Sequence, residues 1–317
     1  YNSQDGLEEW IAQSMMKYIE MGILVYYRTT EPVHYLRSHS RNMVFRLAEG
    51  KIVCNLDADN YLGEGFAEFM LKEFQEKKKI FYTSNLCVRD VFGRVCLEKE
   101  AFMAVKGYNE LLVGYGVEDA DLFKRLTCIG HRRHVFIQES FYGALTHEDN
   151  ERVVEEPLLK KLYALYLDYI DPYSTRILML YKEHFWGMGA LQNNVAMNCN
   201  RNNIECDRIE QCMSDKYRFV VKEEWKEGEW CNVDGGILLN GKYLFVDNQK
   251  GLCYRDRYFY KVTDVDLIVT VVLLITEALN YSKVKRTLDN NECINSQGFG
   301  CGTVFRNFDY ANRIILK

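Results

Sequence analysis

Apolar positions along the first half of the chain recur in two alternating rhythms. Trp10, Ile11, Met15, Tyr18 and Ile19 fall at helical spacing, which predicts a helix from about Leu7 to Met21 with Gly22 at its stop. Ile23–Tyr27 reads as a strand and His34–Ala48 as a helix. Lys51–Asp57 is a short continuous apolar run, the pattern of a strand buried on both faces. Phe66–Lys77 reads as a helix closed by the cations Lys77–Lys79, which suit a helix C-terminus. Ile80–Ser84 is a strand, and Gly93–Ala104 is a short strand passing into a helix. A further helix opens at Glu118 and stops at Gly130, and Arg133–Gln138 returns as a strand. This alternation predicts a mostly parallel α/β sheet with helices on both faces.

Between residues 155 and 170 the Leu and Tyr positions crowd together and predict an apolar helix, ended by Asp171-Pro172. The texture then changes. Arg176–Tyr181, Tyr217–Val221, Gly236–Leu239, Lys242–Val246 and Arg257–Val262 read as short strands, with turn signals at Asp234-Gly235-Gly236 and Asn240-Gly241. A helix is expected over Asp264–Tyr281. The expected organisation is an α/β domain over 1–156, a connecting helix over 157–173 and a smaller β-rich accessory domain over 174–317.

Composition narrows the class only a little. The chain is 48% hydrophobic and 27% charged, an ordinary globular balance. A net charge of −5 lacks the basic excess of a broad nucleic-acid footprint, so no nucleic-acid partner is expected. The 11 cysteines include no CxxC pair, which favours reduced core thiols in a cytoplasmic protein. No signal-peptide pattern opens the chain. The apolar run Val265–Leu279 carries Asp266, Thr270, Thr276 and Glu277, and reads as too short and too polar to span a bilayer. Peripheral membrane contact stays open.

The candidate chemistry starts at Lys51–Asp59. The apolar run ends in Asp57 and Asp59 with one residue between them, and strand alternation puts the two on one side. Like charges that close need a cation, and a hard divalent ion with a phosphate beyond it meets that need. The bland alternative is a strand-end turn. Downstream, Gly107, Gly114 and Gly116 give an irregular loop that lets backbone approach a ligand. It runs into Glu118, Asp119 and Asp121, acids that by themselves merely suit a helix N-terminus. His147 follows the next strand in the string LTHEDN.

The order of these three features resembles the nucleotide-sugar glycosyltransferases of the GT-A fold, specifically the inverting family 2 enzymes. The stretches Gly107-Tyr108-Asn109-Glu110 and Gly114-Tyr115-Gly116-Val117-Glu118-Asp119-Ala120-Asp121 are similar to the matching segment of β-1,4-galactosyltransferases and chondroitin-polymerase-like enzymes. The resemblance covers roughly Tyr1 to Asn150, and it implies a Rossmann-like domain whose first strand lies outside this sequence. It also implies transfer of a hexose or N-acetylhexosamine from a UDP-sugar to a glycan hydroxyl, as in polysaccharide biosynthesis.

By the same resemblance, Asp59 and His147 would bind the metal, and Asp57 would contact the ribose or the metal's water. Asp119 would be the general base and Glu118 would hold the acceptor or orient the loop. From the residues alone, Tyr115, beside Gly116, could present its ring to a sugar substrate or pack under the loop, and Arg41 could reach a diphosphate from its helix or lie on a solvated face; Asp5 of the opening loop is grouped with the nucleotide-binding candidates. An imidazole beside a carboxylate favours Mn²⁺, with Mg²⁺ as the alternative. Competing readings are a non-catalytic glycan- or nucleotide-binding protein of the same fold, and a metal-dependent nucleotidyltransferase or phosphoesterase. In the β-rich half, Trp186, Trp225 and Trp230 are expected in the core rather than stacked on sugars.

Overall fold

The computed structural model describes residues 1–85, 88, 90–146, 151, 156–171, 174–193, 217–219, 225–248, 250–290 and 292–317. The chain divides into two compact units. One comprises Tyr1–Val113, Val117–His147 and Lys283–Lys317; the other comprises Gly114–Gly116 and Glu148–Ser282. The first unit begins with α1 (Leu7–Ser14), α2 (Met16–Glu20), β1 (Tyr27–Arg28), α3 (Arg37–Leu47), β2 (Ile52–Asn55) and β3 (Asn60–Tyr61). It continues with α4 (Phe66–Glu76), β4 (Ile80–Thr83), β5 (Val95–Glu98), α5 (Lys99–Ala104), α6 (Glu118–Cys128), β6 (Arg132–Val135) and β7 (Gly143–Ala144). The second unit holds α7 (Pro157–Lys161), β8 (Leu162–Asp171), β9 (Ser174–Tyr181), β10 (Phe185–Asn193), β11 (Tyr217–Phe219) and β12 (Lys226–Val233). It adds β13 (Gly236–Leu239), β14 (Lys242–Val246), β15 (Leu252–Tyr254), β16 (Arg257–Lys261) and most of α8 (Val265–Asp289). Strands β17 (Gly302–Arg306) and β18 (Asp309–Leu316) return to the first unit.

The central sheet of the first unit has the order β2-β5-β4-β6. Strand β5 is antiparallel to both β2 and β4, and β4 is parallel to β6. It follows that β2, β4 and β6 run one way and β5 the other. Both faces are covered. Val53, Phe81, Val95 and Leu97 pack on one side with Phe45 of α3, Phe102 of α5 and Leu122 and Leu126 of α6. Their sequence neighbours Ile80, Tyr82 and Cys96 pack on the other side with Phe66, Met70 and Phe74 of α4. Period-two side-chain alternation sorts the strands onto two helical layers.

Several elements depart from the sequence expectation. The first helix breaks at Met15 into α1 and α2, and the following strand is only Tyr27–Arg28. Strand β2 stops at Asn55, so Asp57 and Asp59 lie in the turn after it, where the Asn60 N–H bonds the Asp57 carbonyl at 2.9 Å. The alternation argument for those two aspartates therefore does not apply. The expected connecting helix over 157–173 is α7 for one turn and then strand β8. Ala164 and Tyr166 pack to one side of β8 while Leu165 and Leu167 pack to the other. A strand buried on both faces has no polar stripe, and its apolar run passes for a helix. Among the cysteines described, Cys96 is buried, but Cys128, Cys231 and Cys293 are exposed thiols.

Strands β8, β9, β10 and β12–β16 close into an eight-stranded antiparallel barrel, since β10 also pairs with β9. Every strand of that ring sends a side chain inward, among them Tyr166, Leu178, Trp186, Trp230, Ile237, Leu244, Leu252 and Phe259. The outward neighbours Leu165, Leu167, Ile177 and Met179 are covered by Val271, Val272, Ile275 and Ala278 of α8. Trp186 and Trp230 are thus core, and Trp225 packs at the edge of the layer under α8. With 25 residues, α8 is longer than its sequence signal and is long and apolar enough to cross a membrane by length and composition. About 39% of its most apolar window is buried within the protein.

The last 35 residues do not belong with the barrel, which differs from the expected boundary. Strand β17 pairs with β1 and with β18, and Phe299 enters the core under Phe102. Asn307 and Phe308, both at positive φ, form the two-residue turn between β17 and β18. We predict that Phe299→Ala destabilises the first unit by about 3 kcal/mol in urea unfolding, the cost of emptying an aromatic site. A change below about 1 kcal/mol would detach this segment from that core.

Candidate active site

Helix α3 buries the face carrying Ser38, Arg41, Asn42 and Phe45, residues at helical spacing. Arg41 is therefore driven into the protein. Its side chain is 9% exposed, and a buried guanidinium needs partners. Nη1 donates to Asp119 Oδ1 at 3.1 Å and Nη2 donates to Asp57 Oδ1 at 3.1 Å. Glu118 Oε1 lies 3.9 Å from Arg41 Nη1 and 3.8 Å from Arg37 Nε. The Tyr108 ring flanks the guanidinium at 5.4 Å. A Cβ at Gly93 would stand 2.7 Å from Arg41 Nη2 and 3.1 Å from Asp57 Oδ2, so the absence of a side chain there lets this pair form. Asn55 adds a bond from Nδ2 to Asp57 Oδ1 at 3.3 Å and ties the turn to the Gly93 carbonyl at 3.0 Å.

The opposite wall is the N-terminus of α6. Val117, with φ of 79°, immediately precedes Glu118. A β-branched residue in the left-handed region is strained, and such strain gathers at functional positions. Asp121 bonds Arg125 along the same helix at 2.7 and 2.9 Å and serves structure. The preceding loop is clamped by Asn42, whose Nδ2 donates to the Tyr108 carbonyl at 2.9 Å and to Glu110 Oε1 at 2.8 Å. Gly107 has φ of 65°, and a Cβ there would come within 2.4 Å of Asn42 Oδ1.

Electrostatics single out Asp119. Burial drives its carboxyl up, Arg41 pulls it down, and Glu118 and Asp57 push it up again, leaving it at about 7. Burial opposes the charge on Arg41, but Asp119, Tyr108, Asp57 and Glu118 together hold it firmly protonated. Burial and then Asp119 raise the Tyr108 phenol well above its ordinary value. The Tyr108 hydroxyl and Glu118 Oε2 are buried with no hydrogen-bond partner among the described residues. Two unpartnered polar atoms beside a carboxyl poised near neutrality are what a reaction site leaves for its substrate.

Asp59 is half-buried, and its carboxylate accepts from Asn60 Nδ2 at 2.8 Å. Arg94, fully buried, orients Asn60 by donating to its Oδ1 at 2.9 Å, and also donates to the Phe141 and Gly143 carbonyls. Strands β3 and β7 pair, and the Leu145 N–H reaches the Asp59 carbonyl at 2.8 Å. His147 lies outside the described residues. Among the described residues no group of three or more His, Cys, Asp or Glu is placed to hold a metal. Asp57 and Asp59 are hard oxygen donors on one turn, the ligand type that a divalent cation such as Mg²⁺ takes, and here Asp57 is engaged by Arg41 and Asp59 by Asn60.

Asp5 is exposed, away from these contacts; its Oδ1 accepts from Ser3 and from the Leu7 N–H at the start of α1. Tyr115 and Gly116 belong to the second unit, where Asn280 Nδ2 donates to the Gly116 carbonyl at 3.1 Å. The structure thus brings Arg41, Asp57, Glu118 and Asp119 together. Sequence reasoning missed Arg37, Asn42, Arg94 and the Tyr108 hydroxyl. Arg94 carried a usable signal, a lone cation inside the apolar run Val91–Leu97 that must find partners if buried.

A family model described as the N-terminal domain of galactosyltransferase matches residues 85–147. The match supports a galactosyltransferase-like glycosyltransferase. No curated protein and no solved structure matches the chain. The glycosyltransferase-like segment contains Gly93, Arg94, Tyr108, Glu118 and Asp119, and Arg41 and Asp57 reach it from the preceding part of the chain.

Removing Arg41 strands buried carboxylates, so Arg41→Ala is expected to lower stability by about 3–5 kcal/mol at pH 8 in chemical denaturation. The loss should shrink at pH 5, where Asp119 is protonated. A second expectation concerns Asp119 itself. Its folded pKa lies above the unfolded value of 3.8, so the folded state holds the extra proton between about pH 4 and 7. Wild-type stability relative to Asp119→Asn should fall as pH rises through that window, at no more than about 1.4 kcal/mol per pH unit. A flat difference across the window would contradict the raised pKa.

Proposed function

We propose that the protein is an inverting, metal-dependent glycosyltransferase moving a hexose or N-acetylhexosamine from a UDP-sugar to a glycan hydroxyl. The observation that carries this is a buried Asp119, inside a galactosyltransferase-like segment and poised near neutral pH, tied through one guanidinium to Asp57. A GT-A architecture is part of the proposal. It is supported by three strands running one way between two helical layers, with the acids at the exit of β2.

A sugar hydroxyl is a weak nucleophile and needs a base that takes its proton as the new bond forms. Asp119, ionised above about pH 7, has the basicity for that task. Arg41 fixes the orientation of the carboxylate and holds its charge in a buried site. The unpaired Glu118 Oε2 and Tyr108 hydroxyl would hold neighbouring acceptor hydroxyls. Asp59, two residues after Asp57, would hold a divalent cation, which when bound supplies charge stabilisation to the departing diphosphate.

The test is product analysis with UDP-Gal, UDP-GalNAc, UDP-Glc and UDP-GlcNAc, with and without Mn²⁺. Mn²⁺-dependent release of UDP is expected, with kcat/KM rising with pH to a plateau above about 7 as the base ionises. Asp119→Asn should lower kcat by about 10²–10⁴-fold while UDP binding with Mn²⁺ persists. Release of a nucleoside monophosphate would indicate nucleotidyl transfer instead, and an undiminished Asp119→Asn variant would remove the base assignment.

A further inference from the structure

The outer face of the barrel carries a cleft that the transfer reaction does not use. Phe259 of β16 points into the barrel core, so Tyr258 and Tyr260 on either side of it point outward. Strand β8 is the neighbour of β16 and brings Tyr169 alongside. The Tyr258 and Tyr260 ring centroids are 4.6 Å apart, and those of Tyr169 and Tyr260 are 6.4 Å apart. Together with Asp168, Asp256 and Arg257 they line an open cleft of about 320 Å³.

Two features separate this cleft from an ordinary patch of surface. Large rings are left in solvent, with Tyr169 63% and Tyr260 53% exposed, although a folded barrel has ample core to bury them. The framework around them is also fixed. Asp168 is ion-paired to Arg176, and the Tyr258 hydroxyl donates to Asp247, which itself accepts from the Gly251 N–H at 2.8 Å. Tyr258, held in this way, backs the Tyr260 ring edge-on, and a ring that is backed loses less entropy when something stacks on it.

The lining chemistry selects the ligand class. Among the described residues no aliphatic side chain lines the cleft, which argues against an apolar protein anchor. Asp256 and Arg257 are of opposite sign and Asp168 is already paired, so no strong net charge faces the opening. A pyranose ring complements such a surface. Its C–H face covers an aromatic ring, and its rim of hydroxyls meets phenol, carboxylate and guanidinium groups. The volume lies at the low end of small-ligand clefts, about 300–1,000 Å³, and suits one or two sugar rings.

We propose that this cleft is a binding subsite for a neutral glycan chain, with Tyr169 and Tyr260 as the stacking platform. That the chain is the enzyme's own acceptor or product rests on the glycosyltransferase reading; the stacking chemistry does not.

The test uses the full chain and three probes, cellotetraose, chitotetraose and β-1,4-galactotetraose, in saturation-transfer NMR and calorimetry. At least one should bind saturably with Kd between about 10 μM and 1 mM. A Tyr169→Ala/Tyr260→Ala double variant should weaken that binding at least about 10-fold, while Tyr260→Phe stays within about 3-fold, because the ring and not the hydroxyl stacks. UDP binding with Mn²⁺ and UDP-sugar hydrolysis should be unchanged in the double variant. Tetrasaccharide binding without any UDP-sugar turnover in the wild type would sink the transferase reading and uphold the subsite. The subsite is overturned if none of the three probes binds saturably at about 10 mM, or if the double variant binds as well as wild type. It is equally overturned if sedimentation shows a dimer that the double variant abolishes, which would give the face to a second copy of the chain.

Discussion

The guanidinium of Arg41, shared between Asp57 and Asp119, is the constraint on which the candidate active site depends. Three carboxylates converge there, a half-exposed Asp57 from the β2 exit and the buried Glu118 and Asp119 at the start of α6, and like charges that close need a cation between them. Arg41 supplies that cation, and its own charge survives burial because the acids surround it. The balance is incomplete by design of the geometry. Asp119 stays at about 7, and Glu118 Oε2 and the Tyr108 hydroxyl stay unbonded. That residual imbalance is chemical potential for proton transfer and for holding a polar substrate.

The surrounding framework keeps the guanidinium in place. The sheet sorts its side chains onto two helical layers, which sets α3 and α6 on the same face and brings Arg41 to Asp119. Gly93 leaves the space that a side chain would fill, and Asn42 pins the loop that presents Tyr108. Arg94 plays a parallel role on the other acid, orienting Asn60 and through it Asp59. In the second unit the barrel is organised by the same alternation, with inward residues making the core and outward ones either covered by α8 or left as the tyrosine cleft.

Much of the first unit was legible because its elements obey one period each. Helix α4 and strand β4 fall close to their expected bounds, since an amphipathic face and a short apolar run are local signals. Strand β8 was misread because both of its faces are buried and no polar rhythm remains. Strands β17 and β18 were missed because their turn, Asn307-Phe308, lacks the glycine of a usual hairpin signal, and because β17 takes its other partner, β1, from far away in the chain. At the site, Asp57 and Asp59 stood out by type and spacing, while Glu118 and Asp119 stood out through the family resemblance, and Arg41 was a nucleotide-binding candidate. Its bonds to the two aspartates span 16 and 78 residues, separations over which sequence carries no geometric signal.

The chain's sequence by itself determined which chemistry was available: paired acids after an apolar strand, a glycine-broken loop and a second acid pair at a helix start. Those properties reside in residue type and near-neighbour spacing, where side-chain direction follows from backbone period. Only the tertiary structure decided what those acids become. Whether a carboxyl sits at an ordinary pKa or near 7 depends on how much water it has lost and which charges stand beside it, and both are set by contacts between distant segments. The same holds at Lys51–Asp59. The run of residues proposed two aspartates on one side of a strand, and folding placed them in the turn beyond it, with Asp57 on Arg41 and Asp59 on Asn60.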